Sequence, residues 1–307
     1  MQGDLASRVV RITGAFLGLA LVIVLCLRGR WTPRENAEET ELRIVSVAPS
    51  VTEMLFALGV EDCVVGVTDR CDYPPAARNL ESVGGFGAPN MEKLLALSPD
   101  LVIGTSLQRN DMAESLRRSG IRVLRVKTDN FSEMFETLRM IGKEVGKARR
   151  ADEIVAAMQA KLQAIAEEHQ EIPVDRRPRV FVELWNDPIT TAGKGSFVDE
   201  LISRAGGSNV AHDLGSAYPI VNPEKVVEWN PDVIVLGYMN QQRPKEVLAN
   251  RIGWGEVEAV RTGNIINDIS PDYLLRPGPR LIEGVKMLSQ RLYNSGVKED
   301  VQESRDR

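Results

Sequence analysis

Two glutamates hold matching places in two similar stretches of the sequence. Asn90–Ile103 and Asn222–Val235 align without a gap, and Glu92 and Glu224 occupy the same position in each copy. A carboxylate in the first turn of a helix is stabilised by the helix dipole, which would explain both residues structurally. The other interpretation is that one carboxylate from each copy binds a basic pocket on a two-fold symmetric partner. Both interpretations stay open here.

Four aromatic residues fall in loops that follow predicted strands, although aromatics make up only 5% of the chain. Ligands bind beside the carboxyl ends of strands in open α/β sheets, so these rings are candidates for lining a ligand pocket. For any single ring, packing under its own loop is the favoured explanation. For all four rings together it is less satisfactory, because aromatic residues are so few in this chain. The four residues are Tyr73, Phe86, Trp185 and Tyr218.

A cationic, proline-rich turn, Arg276–Arg280, precedes the last predicted helix. Its prolines suit the start of a helix, with Arg280 solvated. The alternative is that Arg276 points between the two halves and donates to a carboxylate, amide or phosphate of a ligand. Only two histidines occur, which argues against a histidine-built metal site, and no Ser/His/Asp or Cys/His constellation is visible.

A helix predicted at Ala151–Glu168 separates two halves of the chain. Before it, Arg43–Val126 alternates short apolar runs with amphipathic ones, and Arg179–Ile269 does the same after it. No glycine or proline interrupts the helix, which would be about 27 Å long. Its apolar stripe consists of Ala151, Val155, Met158, Leu162 and Ile165. The pattern predicts an α/β fold with two Rossmann-like lobes, each built on a mainly parallel sheet, joined by this single long helix. A core helix within one larger α/β domain is the alternative.

Local signals in the first half make two further predictions. Ser50 and Glu53 have the spacing of a reciprocal helix cap, and the helix they start should end at Gly59. The segment Asp69–Pro89 is predicted to be a loop of about twenty residues, and loops of that length are more often functional than idle.

The N-terminal segment has the features of an export signal or a short membrane anchor. Arg8 and Arg11 precede the uncharged run Ile12–Leu27, which would span about 24 Å as a helix, less than a bilayer core. Cys26 would suit lipidation, although Leu25 stands before it where a small residue is usual. The mature part is therefore predicted to be periplasmic or otherwise extracytoplasmic. A net charge of −5 gives no basic footprint for nucleic acid.

Several motifs in fixed order resemble one known family. They are Arg43–Glu53, Val65–Thr68, Asp72–Pro75, Val83–Phe86, the Glu92 helix with Pro99–Ile103, and Arg276–Arg280. Together they resemble the substrate-binding proteins of ABC importers for cobalamin and iron-siderophores, over about residues 42–292. The resemblance implies two α/β lobes joined by a helical backbone that permits only slight closure. The division expected is a signal or anchor and tether (1–41), an N-terminal lobe (42–130), connecting helices (131–172), a C-terminal lobe (173–295) and a tail (296–307).

The resemblance also implies roles for individual residues. Glu92 and Glu224 match two glutamates that the family docks onto arginines of a dimeric membrane permease. Tyr73, Phe86 and Tyr218 match positions that line the corrinoid cleft, although tryptophan can occur at the last two. The loop Asp72–Pro75 favours cobalamin over a ferric siderophore as the transported ligand. Haem is less favoured, because neither histidine and no loop tyrosine is a secure axial ligand.

The resemblance further implies a monomeric binding protein with no catalytic role and no bound cofactor of its own. The alternative class is an exported or anchored enzyme built on the same two-lobed scaffold, since fold alone does not set function. An enzyme would need a positioned base or nucleophile, and the sequence supplies none that can be named.

Overall fold

The computed structural model describes residues 42–105, 110–238 and 245–294. The predicted export or anchor segment, including Cys26, lies outside these residues. Among the helices of the described ranges, none is both long enough and apolar enough to cross a membrane.

Two parallel sheets organise the described chain. The strands are β1 (Ile44–Ser46), β2 (Val64–Val67), β3 (Glu81–Ser82), β4 (Gly84–Gly85), β5 (Ala88–Pro89), β6 (Leu101–Thr105), β7 (Arg122–Val126), β8 (Arg179–Glu183), β9 (Trp185–Asn186), β10 (Ile189–Thr190), β11 (Ser208–Asn209), β12 (Val233–Leu236) and β13 (Ile265–Ile266). The first sheet has the order β3-β2-β1-β6-β7 and the second β11-β8-β12-β13, with every neighbouring pair parallel. The pairs β4–β5 and β9–β10 are small antiparallel hairpins.

Helices connect the strands and cover the sheets. They are α1 (Pro49–Leu58), α2 (Met91–Ala96), α3 (Asn110–Arg118), α4 (Phe131–Glu144), α5 (Ala148–His169), α6 (Phe197–Arg204), α7 (Pro223–Trp229), α8 (Lys245–Ala249), α9 (Glu258–Thr262), α10 (Pro271–Leu275) and α11 (Leu281–Asn294). Strand and helix alternate in both halves, so the parallel connections predicted from the sequence are confirmed.

Successive residues of the central strands point to opposite sheet faces, and both faces are covered. In β8, Val180 and Val182 belong to a large apolar cluster that includes the stripe of α5, whereas Phe181 belongs to a separate outer cluster. In β1, Ile44 lies in the large cluster and Val45 in the outer cluster of the first sheet. Burial on both faces is the rule for parallel sheets in Rossmann-like lobes. The predicted fold class is therefore confirmed.

The long helix predicted between the halves is α5, which has 22 residues and so extends about 33 Å. Every residue of its predicted apolar stripe is buried. The stripe also continues one step further to His169, whose ring stacks on Tyr293 with centroids 4.1 Å apart. Its Nε2 lies 2.6 Å from the hydroxyl of Ser289, so the end of α5 is fixed to α11.

A close crossing of α4 and α5 depends on Gly142. A Cβ atom at this position would lie 2.5 Å from the Cβ of Ala151, closer than two methyl groups approach. Gly142→Ala is expected to lower the free energy of unfolding by about 1–3 kcal/mol, because the two helices must separate. Urea unfolding of the full chain measures this. Gly215→Ala is the control, since a Cβ there meets no atom within 4 Å; equal stability of the two variants would contradict the packing argument.

The structure corrects two local predictions. Helix α1 begins at Pro49 with Ala48 as its N-cap and no side-chain cap, so the cap predicted from Ser50 and Glu53 is wrong. Both residues lie inside the buried first turns of the helix, and the carboxylate of Glu53 bonds elsewhere. The predicted end of α1 at Gly59, in the left-handed conformation, is confirmed.

The segment Asp69–Pro89 is also more ordered than a loop. It contains a 3-10 turn, Pro75–Asn79, and the short strands β3, β4 and β5. The backbone N–H of Val83 donates to the carbonyl of Val67 at 2.8 Å. Pairing of this kind satisfies backbone groups that a long irregular loop would leave unpaired beside the sheet edge.

Candidate functional site

The two copies of the repeat form equivalent helices on the outer faces of the two sheets. Glu92 lies in the first turn of α2 and Glu224 in the first turn of α7, as predicted, and both residues are exposed. Buried Leu94 and Val226 anchor the helices in the two outer clusters. Within the described ranges, no lysine or arginine forms an ion pair with either glutamate. Both carboxylates are therefore available to a partner.

A bracket of hydrogen bonds fixes α2 to the first sheet. The guanidinium of Arg43 donates from Nε and Nη2 to the carbonyl of Leu97, at 3.1 and 2.8 Å. The backbone N–H of Arg43 donates to the carboxylate of Asp100 at 2.9 Å. The C-terminal end of the helix is thereby tied to the start of β1.

The same bracket fixes α7 to the second sheet. The guanidinium of Arg179 donates to the carbonyls of Trp229 and Asn230, at 2.5 and 3.2 Å. Its backbone N–H donates to the carboxylate of Asp232 at 2.7 Å. Sequence reasoning found the aspartates as part of the repeat but missed the arginines. The available signal was an arginine at the start of the first strand in each half.

Two of the candidate aromatic rings belong to the first half. Tyr73 follows β2 and is 39% exposed, and Phe86 lies at the turn between β4 and β5 and is 40% exposed. Both rings are therefore partly open to solvent. The guanidinium carbon of Arg280 lies 3.7 Å from the centre of the Tyr73 ring, a cation–π contact with the turn that precedes α11.

The other two rings lie on one antiparallel ribbon of the second half. Trp185 in β9 pairs with Thr190 in β10, which forms a bridge with Ile220. Directly opposed residues of antiparallel strands point to the same face. Tyr218 lies two residues before Ile220, and the ribbon continues past it, because the backbone N–H of Gly193 donates to the carbonyl of Ala217 at 3.0 Å. Trp185 is 49% exposed and Tyr218 is 46% exposed.

A carboxylate of the first half acts electrostatically on the Tyr218 phenol. Partial burial and the negative charge of Asp129, which follows β7, raise the pKa of Tyr218 to about 12. The ring therefore stays a neutral phenol at physiological pH. The charge of Asp129 in the first half therefore acts on a loop residue of the second half. Among the residues that the structure describes, no ring-to-ring contact joins any two of the four candidate aromatic residues.

Arg276 is surrounded by carboxylates of the protein itself. Its Nη1 lies 2.5 Å from Oδ1 of Asp72 and 3.8 Å from Oε1 of Glu53, and its Nη2 lies 3.0 Å from Oδ1 of Asp272. The structure thus engages this guanidinium in a link between the Asp72 loop and the turn before α11. A ligand would meet an arginine whose charge is already balanced.

Glu53 forms a bidentate ion pair with Arg280. Its Oε2 accepts from Nε at 3.0 Å and its Oε1 from Nη2 at 2.5 Å. Burial raises the pKa of the Glu53 carboxyl above its ordinary value of 4.5, although the hydrogen bond and charge of Arg280 act in the opposite direction. Arg280, held in this pair, is the cation that stacks on Tyr73.

The raised pKa of Glu53 predicts a specific dependence of stability on pH. The folded protein holds the proton of Glu53 more tightly than the unfolded chain does. The contribution of Glu53 to the free energy of unfolding is therefore fully present below pH 4.5 and is lost as the pH rises through the folded-state pKa. Relative to Glu53→Gln, the wild type should lose unfolding free energy as the pH rises from 4.5 through the raised pKa of the folded state. Urea unfolding across that range measures the difference.

Asp72→Asn is the control of opposite sign. Burial acts to raise the pKa of Asp72, but the hydrogen bond and charge of Arg276 outweigh it and lower the pKa below 3.8. Asp72 therefore stabilises the folded state above pH 3.8, and this stabilisation is lost as the pH falls through the folded-state pKa of Asp72. A wild type and Glu53→Gln variant with parallel pH profiles would contradict the account of Glu53.

Within the described residues, no group of three histidine, cysteine, aspartate or glutamate side chains is arranged to hold a metal ion. Each of the two histidines is bonded to another side chain of the protein. His169 is fixed at the end of α5, and Nδ1 of His212 lies 3.0 Å from both carboxylate oxygens of Asp199.

Comparisons with known proteins agree with this arrangement. The sequence profile of the family described as "Periplasmic binding protein" matches residues 44–271. The uncharacterized ABC transporter substrate-binding lipoprotein YvrC of Bacillus subtilis (strain 168) is 36% identical over 262 residues, 84% of this chain and 82% of the relative. A cobalamin-binding protein of Halobacterium salinarum (strain ATCC 29341 / DSM 671 / R1) is 30% identical over 269 residues, 83% of this chain and 70% of the relative.

A solved structure has the same fold. The periplasmic heme-binding protein RhuT from Roseiflexus sp. RS-1, in apo form, is 26% identical and superposes with a TM-score of 0.73, covering 83% of this chain and 98% of that chain. The resemblance drawn from the motifs is therefore confirmed. This chain belongs to the periplasmic binding protein family, as the substrate-binding component of an ABC importer.

Proposed function

We propose that this protein captures a corrinoid such as cobalamin between its two lobes and delivers it to the membrane permease of the importer. The observation that carries the proposal is the exposure of four aromatic rings, two from each half, in loops at the carboxyl ends of the two sheets. Large rings gain most from a ligand with a broad apolar face that they can cover. A macrocycle is such a ligand. The similarity to a cobalamin-binding protein supports the same class.

The charges at the site favour a corrinoid over haem or a ferric siderophore. Haem carries carboxylates and most ferric siderophore complexes carry oxygen-rich, polar shells, so both benefit from cations that are free to bind them. Arg276 and Arg280 are instead paired with carboxylates of the protein. A tyrosine ligand of iron must also give up its proton, and the raised pKa of Tyr218 makes that loss more costly than for an ordinary tyrosine. Cobalamin presents neutral amide groups around its ring and places neither demand on the site.

We assign the aromatic residues Tyr73, Phe86, Trp185 and Tyr218 to the walls of the ligand site. Arg276 takes a supporting role in this proposal, because its three carboxylate neighbours hold the Asp72 loop against the C-terminal part of the chain. The lobes are proposed to comprise residues 42–130 and 173–295, with 131–172 connecting them, and to act outside the cytoplasm.

Glu92 and Glu224 are proposed to dock the protein onto the permease. They are exposed, unpaired within the described part of the chain, and carried by equivalent helices that equivalent brackets tie to the sheets. A pair of equivalent acidic groups suits a partner with two equivalent basic sites.

The ligand class is tested by equilibrium dialysis of the purified full chain against cyanocobalamin, haemin and ferrichrome in parallel. We expect one cyanocobalamin per chain, bound at least about tenfold more tightly than either iron compound. Tighter binding of haemin or ferrichrome would contradict the corrinoid proposal and leave the importer class in place. Binding of none of the three would contradict the proposed site itself.

A further inference from the structure

An exposed aliphatic side chain lies beside the docking glutamate of the first half. Leu95 stands one turn after Glu92 in α2, and residues three positions apart share a helix face. Leu95 is 38% exposed, whereas its neighbour Leu94 is fully buried. The docking face of this helix therefore carries both a carboxylate and an apolar group.

In the second half, the position equivalent to Leu95 is Val227, and a turn covers it. A Cβ atom at Gly253 would lie 3.3 Å from Cγ2 of Val227. The next residue, Trp254, is buried, and its indole N–H donates to the carbonyl of Pro223 at 3.3 Å. The turn thus lies along α7 and reaches the residue that immediately precedes Glu224.

The turn that covers Val227 exposes an aliphatic residue of its own. Ile252 is 96% exposed, which is unusual for a large apolar side chain held between a residue that forms a buried ion pair, Arg251, and buried Trp254. Both halves therefore combine an exposed carboxylate with an exposed aliphatic side chain, although residues at different positions supply the aliphatic group. Each offers one carboxylate that has no ion-pair partner among the described residues, and one exposed aliphatic residue, which lies on the same helix in the first half and on the turn that packs against the helix in the second.

We propose that the docking surface in each half consists of this carboxylate and its aliphatic neighbour: Glu92 with Leu95, and Glu224 with Ile252. The inference rests on the proposed function and specifies the partner. Each subunit of a two-fold symmetric permease should carry a cationic group beside an apolar recess. An aliphatic contact that excludes water from the neighbouring ion pair strengthens that pair, because screening by water and salt is reduced.

The test uses cells in which the chromosomal gene encodes Leu95→Ser together with Ile252→Ser. The initial rate of uptake of radiolabelled cyanocobalamin is expected to fall about tenfold, the usual effect of losing two apolar anchors. The purified full-length variant should keep its cyanocobalamin affinity and its melting temperature. Val174→Ser is the matched control, since Val174 is 67% exposed in a turn between α5 and β8, and its uptake should equal that of the wild type.

The outcomes separate this inference from the function on which it rests. Normal uptake by the Leu95/Ile252 variant, with uptake lost in a Glu92→Ala/Glu224→Ala strain, would overturn the aliphatic contribution and leave the docking glutamates in place. Normal uptake by both strains would overturn the whole docking surface. If the wild type takes up no cyanocobalamin, the corrinoid proposal is wrong. The same strains are then tested for uptake of haemin and ferrichrome, and the comparison of variants decides the inference about the docking surface. If the wild type takes up none of the three compounds, that inference is overturned as well.

Discussion

Cells that carry Glu92→Ala together with Glu224→Ala are expected to lose almost all uptake, while the purified variant binds its ligand as the wild type does. Truncating one partner of an interfacial charge pair costs about 2–5 kcal/mol, so two such losses should weaken docking at least a hundredfold. Stability should change little, because both side chains are exposed and only the interaction with each helix dipole is lost. The measurements are initial uptake rates, ligand affinity of the purified full chain, and urea unfolding.

Glu228→Ala is the matched control for this prediction. Glu228 lies on α7 like Glu224, but it forms an ion pair with Lys225 at 2.7 Å and stands near the other end of the helix. Its removal changes the net charge by the same amount per site without touching the proposed docking position. Normal uptake by the Glu92/Glu224 variant would show that these carboxylates serve only as helix caps, the structural interpretation that the sequence left open.

Trp185→Ala together with Tyr218→Ala is expected to weaken cyanocobalamin binding about a hundredfold, since buried aromatic anchors each contribute at least 1–2 kcal/mol to binding. Both rings are about half exposed in the free protein, so their removal should leave the unfolding free energy within about 1 kcal/mol of the wild type. Isothermal titration of the full chain measures the affinity.

Conservative replacements supply the control for the aromatic pair. Trp185→Phe with Tyr218→Phe keeps two planar rings and should keep most of the affinity, because neither the indole N–H nor the phenol is expected to carry the interaction. Met140→Ala removes another large exposed side chain, 46% exposed on α4, and should have no effect. An unchanged affinity in the Trp185→Ala/Tyr218→Ala variant would place the ligand elsewhere.

The features that the sequence predicts well are those that depend on local periodicity. The stripe of α5 is visible as apolar residues on one helix face, and each one is buried. The central strands of both sheets appear as short, mainly apolar runs, because a parallel sheet covered on both faces buries successive residues of its central strands. The repeat around Glu92 and Glu224 is visible for the same reason, since each copy folds as a helix followed by a strand.

Features that depend on contacts between distant residues could not be predicted in this way. Glu53 has the spacing of a helix cap, yet its partner is Arg280 at the other end of the chain. The brackets of Arg43 and Arg179 join the start of one strand to the C-terminal end of a helix, through carbonyls 54 and 51 residues further along the chain. Each of these arginines begins a stretch of alternating apolar and amphipathic runs, and only the fold shows what its side chain binds.

The central claim is that one ligand lies between aromatic residues of both lobes, and a crystal structure of the full chain with cyanocobalamin tests it most directly. The account predicts a single corrin ring with Tyr73 or Phe86 on one side and Trp185 or Tyr218 on the other, while the ion pair between Glu53 and Arg280 stays intact. A corrin ring that contacts only one lobe, or that binds away from all four aromatic residues, would contradict it.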